Sequence, residues 1–179
     1  MTMTPRFHKF ALTAHVISSV GWVGSVACFL ALAIAGLTSH DGQMVRATYL
    51  SMELITQYII VPLCLASLLT GLVQSLGTKW GLFCHYWILI KFLITIISTI
   101  GLLVHMQPIS YMATVTAESM SSSINHRLQI QLVATSGAAL LALIVATTLS
   151  VYKPKGMTPY GWRKYYKQHR VSQRYLGVK

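Results

Sequence analysis

The sequence predicts an all-α membrane protein: a polytopic bundle of four transmembrane helices with short loops and a basic cytoplasmic tail. Three observations carry that expectation. Of 179 residues 54% are hydrophobic, 9% are charged and only three are acidic, too few charges to cover a water-facing surface of ordinary size. Four apolar runs, at 9–37, 49–76, 85–106 and 129–152, each reach the roughly 20 residues that one helical crossing requires. The basic residues are also sharply partitioned. With both ends in the cytoplasm, Arg6, Lys9, Lys79 and eight cations of the tail lie inside, against Arg46 and Arg127 outside. Residues 1–152 are therefore expected to form one multi-pass transmembrane domain, and residues 153–179 a cytoplasmic tail.

The first span is longer than the 7–15 apolar residues of a secretory signal, so the small-x-small triplet Ala33-Ile34-Ala35 is expected to stay uncleaved. Its opening, LTAHVISSVGWVG, puts His15, Ser18, Ser19, Trp22 and Ser25 on one helical face, with Gly21 and Gly24 beside them. An imidazole or hydroxyl without a partner is costly in lipid, so that face is expected to look inward, where small residues let another backbone approach.

The second span carries Glu53, Gln57, Cys64, Ser67, Gly71 and Gln74 down one side, with a kink expected at Pro62. In the third, Trp87, Lys91, Thr95, Ser98, Gly101 and His105 form a stripe. Lys91 lies about 10 Å inside that span at 1.5 Å per residue. No acid shares its half of the membrane, because Asp41, Glu53 and Glu118 all belong to the outer side. The first and third spans run in the same direction, so His15 and Lys91 are expected at similar depth and in a common pocket. His105, about 21 Å further along, is expected near Glu53 and Gln57 in a second, outer polar layer.

The longest connection is expected at 107–128, followed by a fourth span with a small-residue rail, Thr135, Ala139, Ala142, Ala146 and Ser150. The tail interleaves its cations with Trp162, Tyr165, Tyr166 and Tyr175. Positive-inside orientation and aromatic anchoring account for that pattern better than nucleic-acid binding does. A short helix over 160–174 at the headgroups, attracted to anionic lipids, is expected.

Function classes narrow quickly. There is no G-x-S-x-G elbow, glycine-rich phosphate loop or HExxH helix, and three scattered carboxylates cannot furnish a hydrolase's acid and base. Cys28, Cys64 and Cys84 fall on separate spans or their ends without C-x-x-C spacing, which points to neither a disulfide framework nor a thiolate zinc site. What remains is the inward histidine. A neutral imidazole is the commonest metal ligand and an axial ligand of haem. Ser18, Ser19, Trp22 and Trp87 would border a porphyrin held by His15, and Lys91 would meet its propionates. The alternatives are a purely structural His15, in a non-enzymatic membrane component that binds a partner, and copper or other metal handling. For the last, Glu53 and His105 form the candidate outer site, although the methionines are not in M-x-x-M spacing.

The pattern His15, six residues, Trp22-Val23-Gly24, then LLTGL at 68–72, YWILIKFLI at 86–94 and SVYKPKGMTPYGWRK at the start of the tail resembles a family of bacterial four-helix integral membrane proteins of unknown function, over nearly the whole chain. More distantly, the histidine-WxG and W-x-x-x-K helices are similar to the membrane domain of copper-resistance D proteins and to the haem-containing membrane protoporphyrinogen oxidase. The second resemblance implies that His15 and Lys91 are a functional pair, with haem b as cofactor, His15 on the iron, Lys91 as the catalytic candidate and oxidoreductase chemistry. The sequence leaves both a homo-oligomer and a membrane redox partner open.

Overall fold

In the computed structural model, residues 4–77, 86–118 and 126–152 are described, together with 156, 158, 159, 162, 163 and 166 of the tail. Helix α1 (Pro5–Thr38) opens with proline in its first turn, where a missing N–H costs no hydrogen bond. Its buried residues, Ala11, His15, Ser18, Trp22, Val26, Phe29, Ala33 and Gly36, recur every three or four positions and form one continuous stripe. Phe10, Ile17 and Val20 point outward from the same helix. Apolar residues all round fit a membrane span that packs along one stripe and can face lipid on the rest.

Helix α2 (Gly42–Ile55) starts at Asp41, whose side chain caps it by accepting from the Gln43 N–H at 3.0 Å. It passes through one π-helical turn, Thr56–Ile60, into α3 (Val61–Gly77). The three segments make a single crossing, Gly42–Leu76. The irregular turn lies just ahead of Pro62, the residue that lacks an N–H for the preceding carbonyls and crowds the turn before it. A π turn inserts one residue relative to α-helical spacing. The inward face therefore runs through Tyr49, Met52, Thr56, Ile60, Cys64 and Ser67, while Gln57 is turned outward and Glu53 is half-buried. The uniform stripe expected on this span holds for Cys64, Ser67, Gly71 and Gln74 but not for Gln57.

Helix α4 (Tyr86–Glu118) extends well past Tyr86–Val104, the part long and apolar enough to cross a membrane. The loop expected over 107–128 is thus shorter. Loss of hydropathy marks where lipid contact ends, and the stretch 109–118 contains neither glycine nor proline to stop a helix. Helix α5 (His126–Tyr152) completes the bundle, burying Gln129, Leu132, Ser136, Leu143 and Ala146. Of the expected rail, Ala146 is buried and Thr135, Ala139, Ala142 and Ser150 are half-buried.

The fold is all-α, a four-helix bundle in which every crossing is long and apolar enough to span a membrane. Helix α1 is its hub, packed most closely on α3 and α5 and then on α2, whereas α4 rests on α2 and α5 and touches α3 only lightly. A core of Trp22, Val26, Phe29, Tyr49, Met52, Ile60, Cys64, Leu132 and Leu143 fills the middle. In the tail, Trp162 donates its backbone N–H to Thr158 O at 3.0 Å, and its ring stacks on Tyr166 with centroids 5.5 Å apart. That i, i+4 contact matches the start of the expected amphipathic helix, most of whose 160–174 range lies outside the described residues.

Candidate functional site

At the end of the bundle where α1 and α4 begin and α3 and α5 finish, the loose fit of α4 against α3 leaves a cavity of about 620 Å³. All four of these helices line it. Its wall is mostly apolar, with Trp22 and Val23 from α1, Trp87 and Phe92 from α4 and Leu143 from α5, while Lys91, Thr95, Gln74 and His15 supply polar atoms.

His15 is held in one orientation. Its Nδ1 lies 3.1 Å from Ser67 O and 3.1 Å from Thr70 Oγ1. A backbone carbonyl can only accept, so Nδ1 carries the proton. Thr70 directs its own hydroxyl proton to Ala66 O at 2.6 Å, which leaves its oxygen free to accept from the ring as well. The neutral imidazole therefore presents the lone pair of Nε2 to the cavity. Gly71, one turn on from Ser67, makes room for the ring. A Cβ there would stand 3.2 Å from His15 Cε1. Gln74, one turn further, donates to Ala11 O at 2.8 Å and fastens α3 to α1 beside the ring.

Lys91 crosses the cavity from α4, and its Nζ lies 3.3 Å from His15 Nε2, donating to that lone pair. Helices α1 and α4 are diagonal in the bundle, so this contact joins two elements whose backbones are not neighbours. Behind Lys91 a hydroxyl ladder climbs α4. Thr95 donates to Lys91 O at 2.9 Å and Thr99 to Thr95 O at 2.8 Å, and Thr99 Oγ1 meets Cys64 Sγ at 3.1 Å.

Of the residues singled out from sequence, His15, Ser19, Trp22, Trp87 and Lys91 all line the cavity, and His15 and Lys91 share it as expected. Ser18 is buried beside it, and its hydroxyl turns back to His15 O at 3.1 Å. Ser19 and Ser25 likewise bond their own helix, to Val16 O and Gly21 O. These serines thus contribute small size rather than bonds between helices. Sequence reasoning missed Thr70 and the carbonyl of Ser67, the groups that fix the tautomer. The spacing of Ser67, Thr70, Gly71 and Gln74 could have placed Thr70 beside the ring, but not the carbonyl that the ring meets. At the opposite end Glu53 is half-buried, and the His105 side chain lies outside the described residues, as does Cys84. Among the described residues no three His, Cys, Asp or Glu side chains gather as a metal-binding group.

An axial haem ligand needs only one protein nitrogen, because the porphyrin supplies four others, and the donor set suits such a group. The imidazole is tied through Nδ1–H to a backbone carbonyl, as metal-bound histidines commonly are. Its other nitrogen is aimed into an aromatic-lined cavity within the roughly 300–1,000 Å³ range of cofactor sites. Searches with protein-family models, against curated proteins and against solved structures find no match to this chain.

Proposed function

We propose that the chain is a multi-pass protein of the bacterial inner membrane, with both termini cytoplasmic, that holds b-type haem in the cavity and serves a redox role. The observation that carries this reading is the fixed tautomer of His15, whose Nε2 lone pair faces a cofactor-sized space. Bound haem would supply reversible one-electron exchange at its iron. His15 would hold the iron through Nε2, with Ser67 O and Thr70 fixing the ring. Trp22 and Trp87 would flank the macrocycle and exclude water. Lys91 would neutralise a propionate, since the three acids of the chain, Asp41, Glu53 and Glu118, all lie toward the other end of the helices. The sequence resemblance to the haem-containing oxidase agrees with this assignment.

The test is spectroscopic. Protein purified in mild detergent from haem-replete cells should give a Soret band and sharp reduced-state bands, lost in His15→Ala and weakened in Lys91→Ala. A well-folded protein that stays colourless after haem supplementation would reject the assignment. The second reading, a non-enzymatic membrane component, would then stand on the Lys91–His15 hydrogen bond, which by itself ties α1 to α4.

A further inference from the structure

Two groups claim one lone pair. The iron reading assigns Nε2 of His15 to a ligand bond, yet Lys91 Nζ stands 3.3 Å from that atom. Metal–imidazole bonds are about 2.0–2.1 Å long, and nitrogen at hydrogen-bond distance along the same lone pair blocks an approach of that kind. We infer that Lys91 is a displaceable cap on His15: it holds the lone pair of the ligand nitrogen and must swing away before any electrophile or metal reaches Nε2.

The surroundings let it do so. Among the described residues the Lys91 side chain hydrogen-bonds only to His15, whereas its backbone carbonyl is fixed by Thr95. The anchor stays and the amine moves. The cavity supplies the space for that motion, because Lys91 and Phe92 both line it where α4 rests only lightly on α3. The cap also satisfies Nε2, which would otherwise be a buried acceptor without a partner, so the bundle avoids that penalty. An incoming porphyrin with carboxylates would offer the displaced amine a new partner as it takes the old one away. Removal of the cap and neutralisation of the propionate are then two halves of one exchange. This second half rests on the haem reading, and the cap itself does not.

The probe for the cap is diethyl pyrocarbonate, which acylates neutral imidazole nitrogen and needs no cofactor. Applied to the full-length ligand-free protein in detergent, with modification of the His15 peptide followed by mass spectrometry, it should react about tenfold faster in Lys91→Met and Lys91→Gln than in the parent, the factor one charge-assisted hydrogen bond represents. His126, at the far end of the bundle, should react at one rate in all three proteins and so reports that the fold is intact. An unchanged His15 rate with an unchanged His126 rate would overturn the cap. In a second arm, ferric haem and metal-free protoporphyrin are titrated into the same proteins. Lys91→Met should speed capture of ferric haem relative to metal-free porphyrin, because only the former needs Nε2. Equal effects on the two would overturn the exchange. Faster acylation without any haem uptake would leave the cap standing and defeat the haem assignment instead.

Discussion

Gly71 and His15 fit against each other so closely that a single added carbon would stand 3.2 Å from the ring at Cε1. Gly71→Ala should move the ring by a few tenths of an ångström and weaken haem retention. Gly71→Leu should abolish haem retention through the ring's displacement while the bundle still assembles, since Val26, Phe29, Tyr49, Met52 and Leu132 of its core do not line the cavity. The ratio of Soret to protein absorbance after gel filtration measures both. Full retention in the leucine variant would show that the ring has another place to go.

Gln74→Leu removes the bond from α3 to Ala11 O. Hydrogen bonds between helices in a membrane average about 0.6 kcal/mol and reach about 1.7. The loss should fall in that range, read as a lowered midpoint of unfolding in detergent or in sodium dodecyl sulfate titration. It should be accompanied by faster labelling of His15, whose neighbourhood that bond braces.

Tyr49 is 1% exposed, and its hydroxyl makes no hydrogen bond of good geometry among the described residues, although the Gln129 side chain approaches it. Tyr49→Phe keeps the ring that packs at Gly36 and deletes an oxygen whose unsatisfied burial costs about 1–3 kcal/mol. Thermal stability should be unchanged or higher. A clear drop would reveal a partner for that oxygen.

Orientation can be tested at two exposed positions. On a background with Cys28 and Cys84 changed to serine, and with Cys64 left in place because it is buried, His40→Cys should react with an impermeant maleimide in intact cells and Arg163→Cys only after lysis. The reverse pattern would invert the proposed topology and place the cavity end outside.

The broad fold was legible because lipid imposes a coarse rule: long apolar runs define candidate crossings without reference to packing. The pairing of His15 with Lys91 was legible for the same reason, since two parallel helices entering from one side place equal offsets at equal depth. Gln57 escaped that reasoning because face assignments assume an unbroken period of 3.6 residues, and the π turn breaks it in the middle of the span. The extent of α4 escaped it too, because hydropathy reports the surrounding solvent and not the backbone. Ser67 acts through a carbonyl that every residue type possesses, so its side chain gave no hint of the contact it makes.

The π turn at Thr56–Ile60 also gives the second crossing two separately phased parts. One carries Tyr49 and Met52 into the central core, and the other carries Ser67, Thr70, Gly71 and Gln74 to the histidine. A residue gained or lost within that turn would rotate one part against the other by about 100°, sparing the anchorage of one while removing the floor beneath His15 in the other. The turn works as an adjustable coupling, so that a length change of one residue there would disarm the cavity without dissolving the protein that contains it.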